Sequence, residues 1–433
     1  MNYKGKKAAF YTLGCKLNFS ETSAIAAEFE AIGFNRVDFN EKADVYVINT
    51  CSVTNQGDKA SRNIIRQAVR KNPDALVIAI GCYSQLNPEE LRQIEGVDII
   101  LGTREKFQIT DFLGDLHKRQ YPEVKTTRLA DIKTYHTASS WGDRTRCFLK
   151  IQDGCDYFCS YCAIPYARGR SRNDTIGNTV LEACKAVEKG YKEIVLTGVN
   201  IGDFGKSTNE TFIDLLKALE QVDGLHRLRL GSIEPNLLKN EIIQLVAESP
   251  VVMPHFHIPL QSGSDQVLSL MKRKYSVRLF EQRINRIREL MPHAFIGVDV
   301  IAGTNGETEE YFRESYEFLQ RMDVSRLHAF TYSERSGTQA LKIPGKVNLP
   351  ERKHRTQMYI NLSEEKLKAF YEKHLKTEQL VLFESRKNND TMSGFTENYI
   401  KVESPYRKEL INEMKKGRLL SILPTGNVAI DID

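Results

Sequence analysis

Cys155-Asp-Tyr-Phe-Cys159-Ser-Tyr-Cys162 sets three thiols at C-x3-C-x2-C just after an apolar segment, Phe148–Gln152, that reads as a buried strand. Structural zinc asks for four protein ligands, and no fourth is evident nearby; three thiolates suit three corners of an iron–sulfur cube and leave one iron open. Further strands are expected at Glu193–Thr197, Arg227–Leu230, His255–Leu260, Phe295–Ile301 and Arg326–Thr331, joined by helices such as Thr179–Lys189 and Phe280–Leu290. Six βα units closing only partway predict a partial (β/α)6 barrel over residues 147–376, with its active loops at the strand carboxyl ends.

Those ends are polar or Gly-rich. They read Gly198-Val-Asn200, Ser232-Ile-Glu234-Pro235, Gln261-Ser262-Gly263-Ser264, Gly303-Thr-Asn-Gly306-Glu307-Thr308 and Ser333-Glu-Arg335-Ser-Gly337. Gly permits close approach of a nucleotide, and polar side chains can hold ribose and amino-acid groups, so Gly198, Asn200, Glu234, Gln261, Ser262 and Arg335 are candidate cofactor-binding residues. Taken singly, a Gly-rich turn is equally a turn. His255 and His257 alternate on one strand, but nothing nearby completes a metal site, so structural roles are expected. Cys147 and Cys184 fall on a strand edge and a helix, where packing is the ordinary fate of a thiol.

The first third alternates strands, at Ala8–Leu13, Val45–Ile48 and Ala75–Ile80, with helical patterns; the first helix is expected to be capped by Ser20. This predicts an open, mostly parallel α/β domain over residues 1–117. Cys15, Cys51 and Cys82 each stand shortly past a strand end. In a parallel sheet such ends share one edge, so these thiols can converge on a second, three-ligand metal site; the alternative is three buried, inert cysteines. After Cys51, Arg62, Arg66 and Arg70 share a helix face with Lys59 close by, either a solvated face or a phosphate-contacting stripe. Residues 118–146 show no period and read as a linker or a wrapping segment.

A long helix from Pro350 to about Lys376 leads into Gln379–Ser385, Gly394–Glu403, Leu419–Leu423 and Val428–Ile432, short β segments separated by Asn388-Asn-Asp and by Pro424 with Gly426. Residues 377–433 therefore predict a small all-β RNA-binding barrel, with Phe395, Lys401 and Arg407 as candidate RNA contacts. Hydrophobic residues make up 41% of the 433 and charged residues 27%, with a net charge of +5, so any nucleic-acid surface is local. Eight cysteines are too few for a disulfide scaffold. No apolar run approaches the roughly 18 to 20 residues that span a bilayer, and the first residues lack the apolar core of a signal peptide, so a cytoplasmic protein without membrane contact is expected.

The Cys155 triplet on a partial βα barrel resembles the radical S-adenosylmethionine superfamily. With Gly14-Cys15-Lys16-Leu17-Asn18, Asn49-Thr50-Cys51-Ser52-Val53-Thr54 and Gly81-Cys82-Tyr83, the chain resembles the methylthiotransferase family over nearly its whole length. The Gly-Cys-Lys-x-Asn form is similar to the branch acting on threonylcarbamoyladenosine at position 37 of transfer RNA, just after the anticodon. The isopentenyladenosine branch usually shows Gly-Cys-Gln there, and the ribosomal-protein aspartate branch Gly-Cys-Pro; both remain alternatives, as does a zinc-stabilised RNA-binding protein without catalysis. Phe19 stands where the family commonly has Gln.

The resemblance implies two 4Fe-4S clusters, with S-adenosylmethionine as methyl donor and radical source. The Cys155/Cys159/Cys162 cluster would generate a deoxyadenosyl radical that removes hydrogen from carbon 2 of adenine, and the Cys15/Cys51/Cys82 cluster would carry the methylthio group transferred there. It further implies a TRAM-like C-terminal module, the transfer RNA anticodon stem-loop as substrate, an electron donor such as flavodoxin or ferredoxin, and a sulfur source.

Overall fold

The computed structural model describes residues 3–140, 142, 144–388 and 390–432, with all their side chains except those of 385–388. The first unit is a six-stranded parallel sheet of β1 (Lys7–Thr12), β2 (Asn35–Val37), β3 (Val45–Thr50), β4 (Leu76–Gly81), β5 (Ile99–Leu101) and β6 (Glu123–Lys125), ordered β2-β1-β3-β4-β5-β6. Every residue of β3 and β4 is buried, because helices cover both faces of a parallel sheet; hence their unbroken apolar sequences. The three-residue strands β2, β5 and β6 are too short to show a period. β6 lies in the segment expected as linker and pairs with β5, and Ser139 bridges to Leu149, so that segment is tied to both neighbouring units.

Helix α1 (Lys16–Ala31) starts at once after the β1 loop, with Cys15 at its cap position. Ser20 is not the cap: it lies inside the helix, where its hydroxyl donates to the Leu17 carbonyl at 2.9 Å. A serine can bond back along its own helix as well as cap one, which is why the sequence misleads here. Helices α2 (Asn55–Lys71) and α3 (Cys82–Leu86) likewise begin just beyond β3 and β4.

The middle unit holds β7 (Cys147–Lys150), β8 (Glu193–Thr197) and β9 (Arg227–Arg229) in one parallel sheet and β10 (His255–His257), β11 (Phe295–Ala302) and β12 (Arg326–Thr331) in another. Bridges Leu228 to Val252 and Ser232 to His257 join the two into one open barrel around a continuous apolar core. The helix Leu349–Glu372 closes its side, with the Ser363 hydroxyl bonded at both the Leu327 N–H and carbonyl.

The last unit is a closed barrel of β13 (Glu378–Asn388), β14 (Thr391–Thr396), β15 (Lys401–Pro405), β16 (Met414–Ile422) and β17 (Val428–Asp431). Gly394–Glu403 is not one strand. Tyr399 turns the chain at φ +65°, and the Thr396 hydroxyl accepts from the Ile400 N–H at 2.8 Å, folding the segment into a hairpin. In the Asn388-Asn-Asp turn, Asn389 lies outside the described residues. Buried Arg227 and Arg229 of β9 dock this barrel, donating to the carbonyls of Leu380, Phe395, Thr396 and Glu397 at 2.6–2.9 Å. Among the described residues, no helix is long and apolar enough to cross a membrane.

Candidate active site

The Cys155–Cys162 loop is fixed from beneath by Gln152. Its side-chain N–H groups donate to the Gly154 carbonyl at 2.7 Å and the Ser171 hydroxyl at 2.9 Å, while its carbonyl accepts from the N–H groups of Val199 and Asn200 at 3.0 and 2.8 Å. One buried amide thus ties the cysteine loop to the Gly198 turn. Gly154 is required: φ is +73°, and a Cβ would meet the Arg170 carbonyl oxygen at 2.0 Å. Within the loop the Tyr157 N–H points at Cys155 Sγ, 3.4 Å away, and Asn236 donates to the Tyr157 hydroxyl at 2.7 Å.

Burial, reinforced by the neighbouring cysteines, pushes the Cys155 thiol up to about 11 and the Cys162 thiol up to about 12. Thiols so placed ionise together only beside a cation, which is the donor chemistry of a metal cage. Arg273 supplies one fixed charge: it donates to Cys159 Sγ at 3.0 Å and pairs with Glu234. Sequence reading missed Arg273 because it lies far along the chain in the basic run Lys272-Arg273-Lys274, which reads as a solvated surface.

The second cysteine set converges as the strand-end argument requires. The loops of Cys15 and Cys51 pack so closely that a Cβ on Gly14 would meet Cys51 Sγ at 2.8 Å. Burial, then the charges of Cys82 and Cys15, push the Cys51 thiol up to about 12. Asn18 stitches the loops together, donating to the carbonyls of Leu13 at 2.9 Å and Thr50 at 3.2 Å. Among the described residues, no three His, Cys, Asp or Glu side chains close around a single ion. A multi-iron cluster presents its irons at separate corners, so its thiolates need not meet at one point. Both triplets fit such a group.

The two sets meet through a buried charge network. Arg168, just beyond Cys162, donates to Asn18 Oδ1 at 2.6 Å, to both Glu21 oxygens at 2.9 and 3.0 Å, and to Asp153 at 2.9 Å. Lys150 bonds Glu21 at 2.9 Å and Asp153 at 3.0 Å, Lys106 joins Glu21, and Arg172 joins Asp153. Burial alone would raise the Glu21 carboxyl; Arg168, Lys106 and Lys150 hold it well below the usual carboxylate range.

A cavity of about 1060 Å3 opens where the three units join. Gly14 and Cys15 line it from the first unit, Gly198, His255, His257, Asp299 and His328 from the second, and Phe395, Tyr399 and Lys401 from the third. The histidines expected to be purely structural are thus in its wall: His257 bonds Asp299 at 2.7 Å and Ser232 at 2.9 Å. Phe395 reaches the cavity with the Arg146 guanidinium 4.4 Å from its ring centroid and the Tyr399 ring stacked on it at 4.7 Å.

The remaining candidates are dispersed. Buried Asn200 donates to Asp203 at 3.2 Å, Gln261 sits at φ +73°, and Ser262 accepts from the Ser264 N–H at 3.2 Å. Arg335 leaves the barrel and grips the Cys51 loop, donating to Ser52 at 2.6 Å and Asn55 at 2.8 Å and pairing with Asp58 at 2.7 Å. Arg62 is partly engaged by Tyr83 and Glu90, whereas Arg66, Arg70 and Arg407 are exposed. Phe19 packs edge-on against Phe148 at 5.8 Å beneath Arg144, bracing α1 on the barrel. Cys147 is packed in the core and Cys184 against it.

Comparison with known proteins agrees with this architecture. A family described as "Uncharacterized protein family UPF0004" matches residues 7–102, and the radical SAM superfamily matches residues 149–319. The chain is 38% identical to the threonylcarbamoyladenosine tRNA methylthiotransferase MtaB of Bacillus subtilis over 95% of this chain and 93% of that protein. It is 33% identical to the protein of that name from Thermotoga maritima over 99% and 98%. A tRNA-2-methylthio-N(6)-dimethylallyladenosine synthase from Syntrophus aciditrophicus is 31% identical over 89% and 84%. Among solved structures, the radical S-adenosylmethionine methyltransferase TsrM of Kitasatospora setae superposes with a TM-score of 0.54 at 16% identity, covering 76% of this chain and 75% of that one. This likeness is one of fold.

Proposed function

The chain belongs to the radical S-adenosylmethionine tRNA methylthiotransferase family, and we propose that it adds a methylthio group to carbon 2 of threonylcarbamoyladenosine at position 37 of transfer RNA. The observation that carries this reading is the placement of Cys15, of the second cysteine set, in the wall of a cavity shared by all three units and large enough for a nucleotide. We assign Cys155, Cys159 and Cys162 as ligands of one 4Fe-4S cluster and Cys15, Cys51 and Cys82 as ligands of another. When bound, the clusters and S-adenosylmethionine supply the reductive cleavage and the sulfur chemistry.

The protein's own share is placement. Gln152 sets the Cys155 loop against the Gly198 turn, where a Cβ would meet the Gln152 carbonyl oxygen at 2.9 Å and only glycine permits the approach. Arg273 holds positive charge at Cys159 Sγ, and Glu234 orients Arg273. Arg168 holds the Asn18 loop, and with it Cys15, in register with the barrel. Arg335 steadies the Cys51 loop through Ser52 and Asp58. The docked C-terminal barrel lines one side of the cavity through Phe395, Tyr399 and Lys401. We assign electron delivery to a small reductant such as flavodoxin or ferredoxin and sulfur delivery to a separate donor.

The test is mass spectrometry of transfer RNA from a strain lacking this gene. Loss of the methylthio group from threonylcarbamoyladenosine alone supports the assignment. Its loss from isopentenyladenosine, or from a ribosomal-protein aspartate, assigns the chain to another branch.

A further inference from the structure

Each of the three units contributes one cation to the central cavity: Lys16 beside Cys15, Arg326 at the start of β12, and Lys401 at the start of β15. Among the described residues none of the three forms an ion pair, unlike the buried cations that join the units. Two carboxylates share the wall, but Asp299 is taken by His257 at 2.7 Å, leaving Glu364 on the neighbouring helix. We infer that Lys16, Arg326 and Lys401 are specificity-determining residues that read the carboxylate of the threonyl group on the substrate adenosine.

This rests on the function proposed above and adds the means of recognition. Carbon 2 and the N6 substituent of adenine flank N1 on the same edge of the ring. A base whose carbon 2 faces Cys15 therefore presents its N6 side group to the residues around Cys15, of which Lys16 is the next in the chain. Along β12, Arg326, His328 and Phe330 alternate onto the cavity face, and Gly297 of β11, opposite Arg326, lines the same wall with His328 packed over it. Burial and the charge of His257 hold His328 down to about 4, so it meets the side group as a neutral imidazole able to bond its hydroxyl or urea. Separate units carrying one charge each make recognition depend on all three being assembled.

The experiment uses the full chain and three anticodon stem-loops: one with threonylcarbamoyladenosine, one with its methyl ester, and one with unmodified adenosine. Wild type is expected to prefer the acid over the ester by about tenfold in affinity, the worth of one charge-assisted contact. Lys16→Gln, Arg326→Gln and Lys401→Gln each reduce that preference, the triple variant brings it near one, and Lys401→Arg retains it; affinity for the unmodified stem-loop stays unchanged. Equal losses for all three RNAs mean the cations contact phosphate and overturn the inference. A wild-type chain that methylthiolates acid and ester with the same KM overturns the inference alone. One that modifies isopentenyladenosine and not threonylcarbamoyladenosine overturns both it and the proposed function.

Discussion

Cys155, Cys159 and Cys162 share one loop, held by Gln152 within its own barrel, whereas Cys15, Cys51 and Cys82 meet only because three parallel strands end along one edge. The first set carries its own cation, Arg273, on Cys159 Sγ. The second borrows its support across an interface, through Arg168 on Asn18 and Arg335 on Ser52 and Asp58. A local cage thus depends on one loop, and a dispersed cage on the docking of two units.

The largest expected effect separates the two cages by task. Cys159→Ala is expected to abolish deoxyadenosine formation, while Cys51→Ala retains part of it and loses the methylthio product. Chromatographic measurement of both products checks this, and a wild-type rate of methylthio product from Cys51→Ala breaks the comparison.

A smaller effect probes the interface. Glu21→Gln leaves Lys106, Lys150 and Arg168 short of a buried counter-charge, at an expected cost of about 3–5 kcal/mol, read as a lower midpoint in thermal unfolding. Because the folded-state pKa of Glu21 is lowered, its stabilising contribution is full above its ordinary value of 4.5 and is lost as the pH falls below that. Glu21→Gln should therefore flatten the acid limb of the stability profile. An unchanged midpoint and an unchanged acid limb would show that the second cage does not need the interface.

The smallest effect concerns α2, which follows the Cys51 loop. Arg66→Gln with Arg70→Gln is expected to lower the salt slope of RNA binding by roughly 1.5 to 2, the neutralisation of two phosphate contacts. An unchanged slope makes this face solvated only.

Legibility in the sequence followed the range of the interactions. The Cys155 triplet could be read from a few residues, and β3 and β4 from unbroken apolar runs, since burial on both faces leaves no other composition. Ser20 misled because its hydroxyl has two local uses, and Gly394–Glu403 read as one strand because a turn at Tyr399 needs no glycine once Thr396 bonds across it. Arg335 sits at a strand end like the other candidate cofactor contacts, yet its guanidinium reaches residues nearly 300 positions away, between Ser52 and Asp58.

By itself the sequence determined the order of the three units, the six cysteines and the chemistry that three-thiol cages can hold, because periodicity and ligand spacing are local properties of a chain. Only the tertiary structure decided that Arg168 joins the two cages, that Arg146 and Tyr399 pack against Phe395, and that Lys16, Arg326 and Lys401 line one cavity. Those facts depend on how separately folded units dock, and docking is set by buried charge and shape summed over residues that no local pattern links.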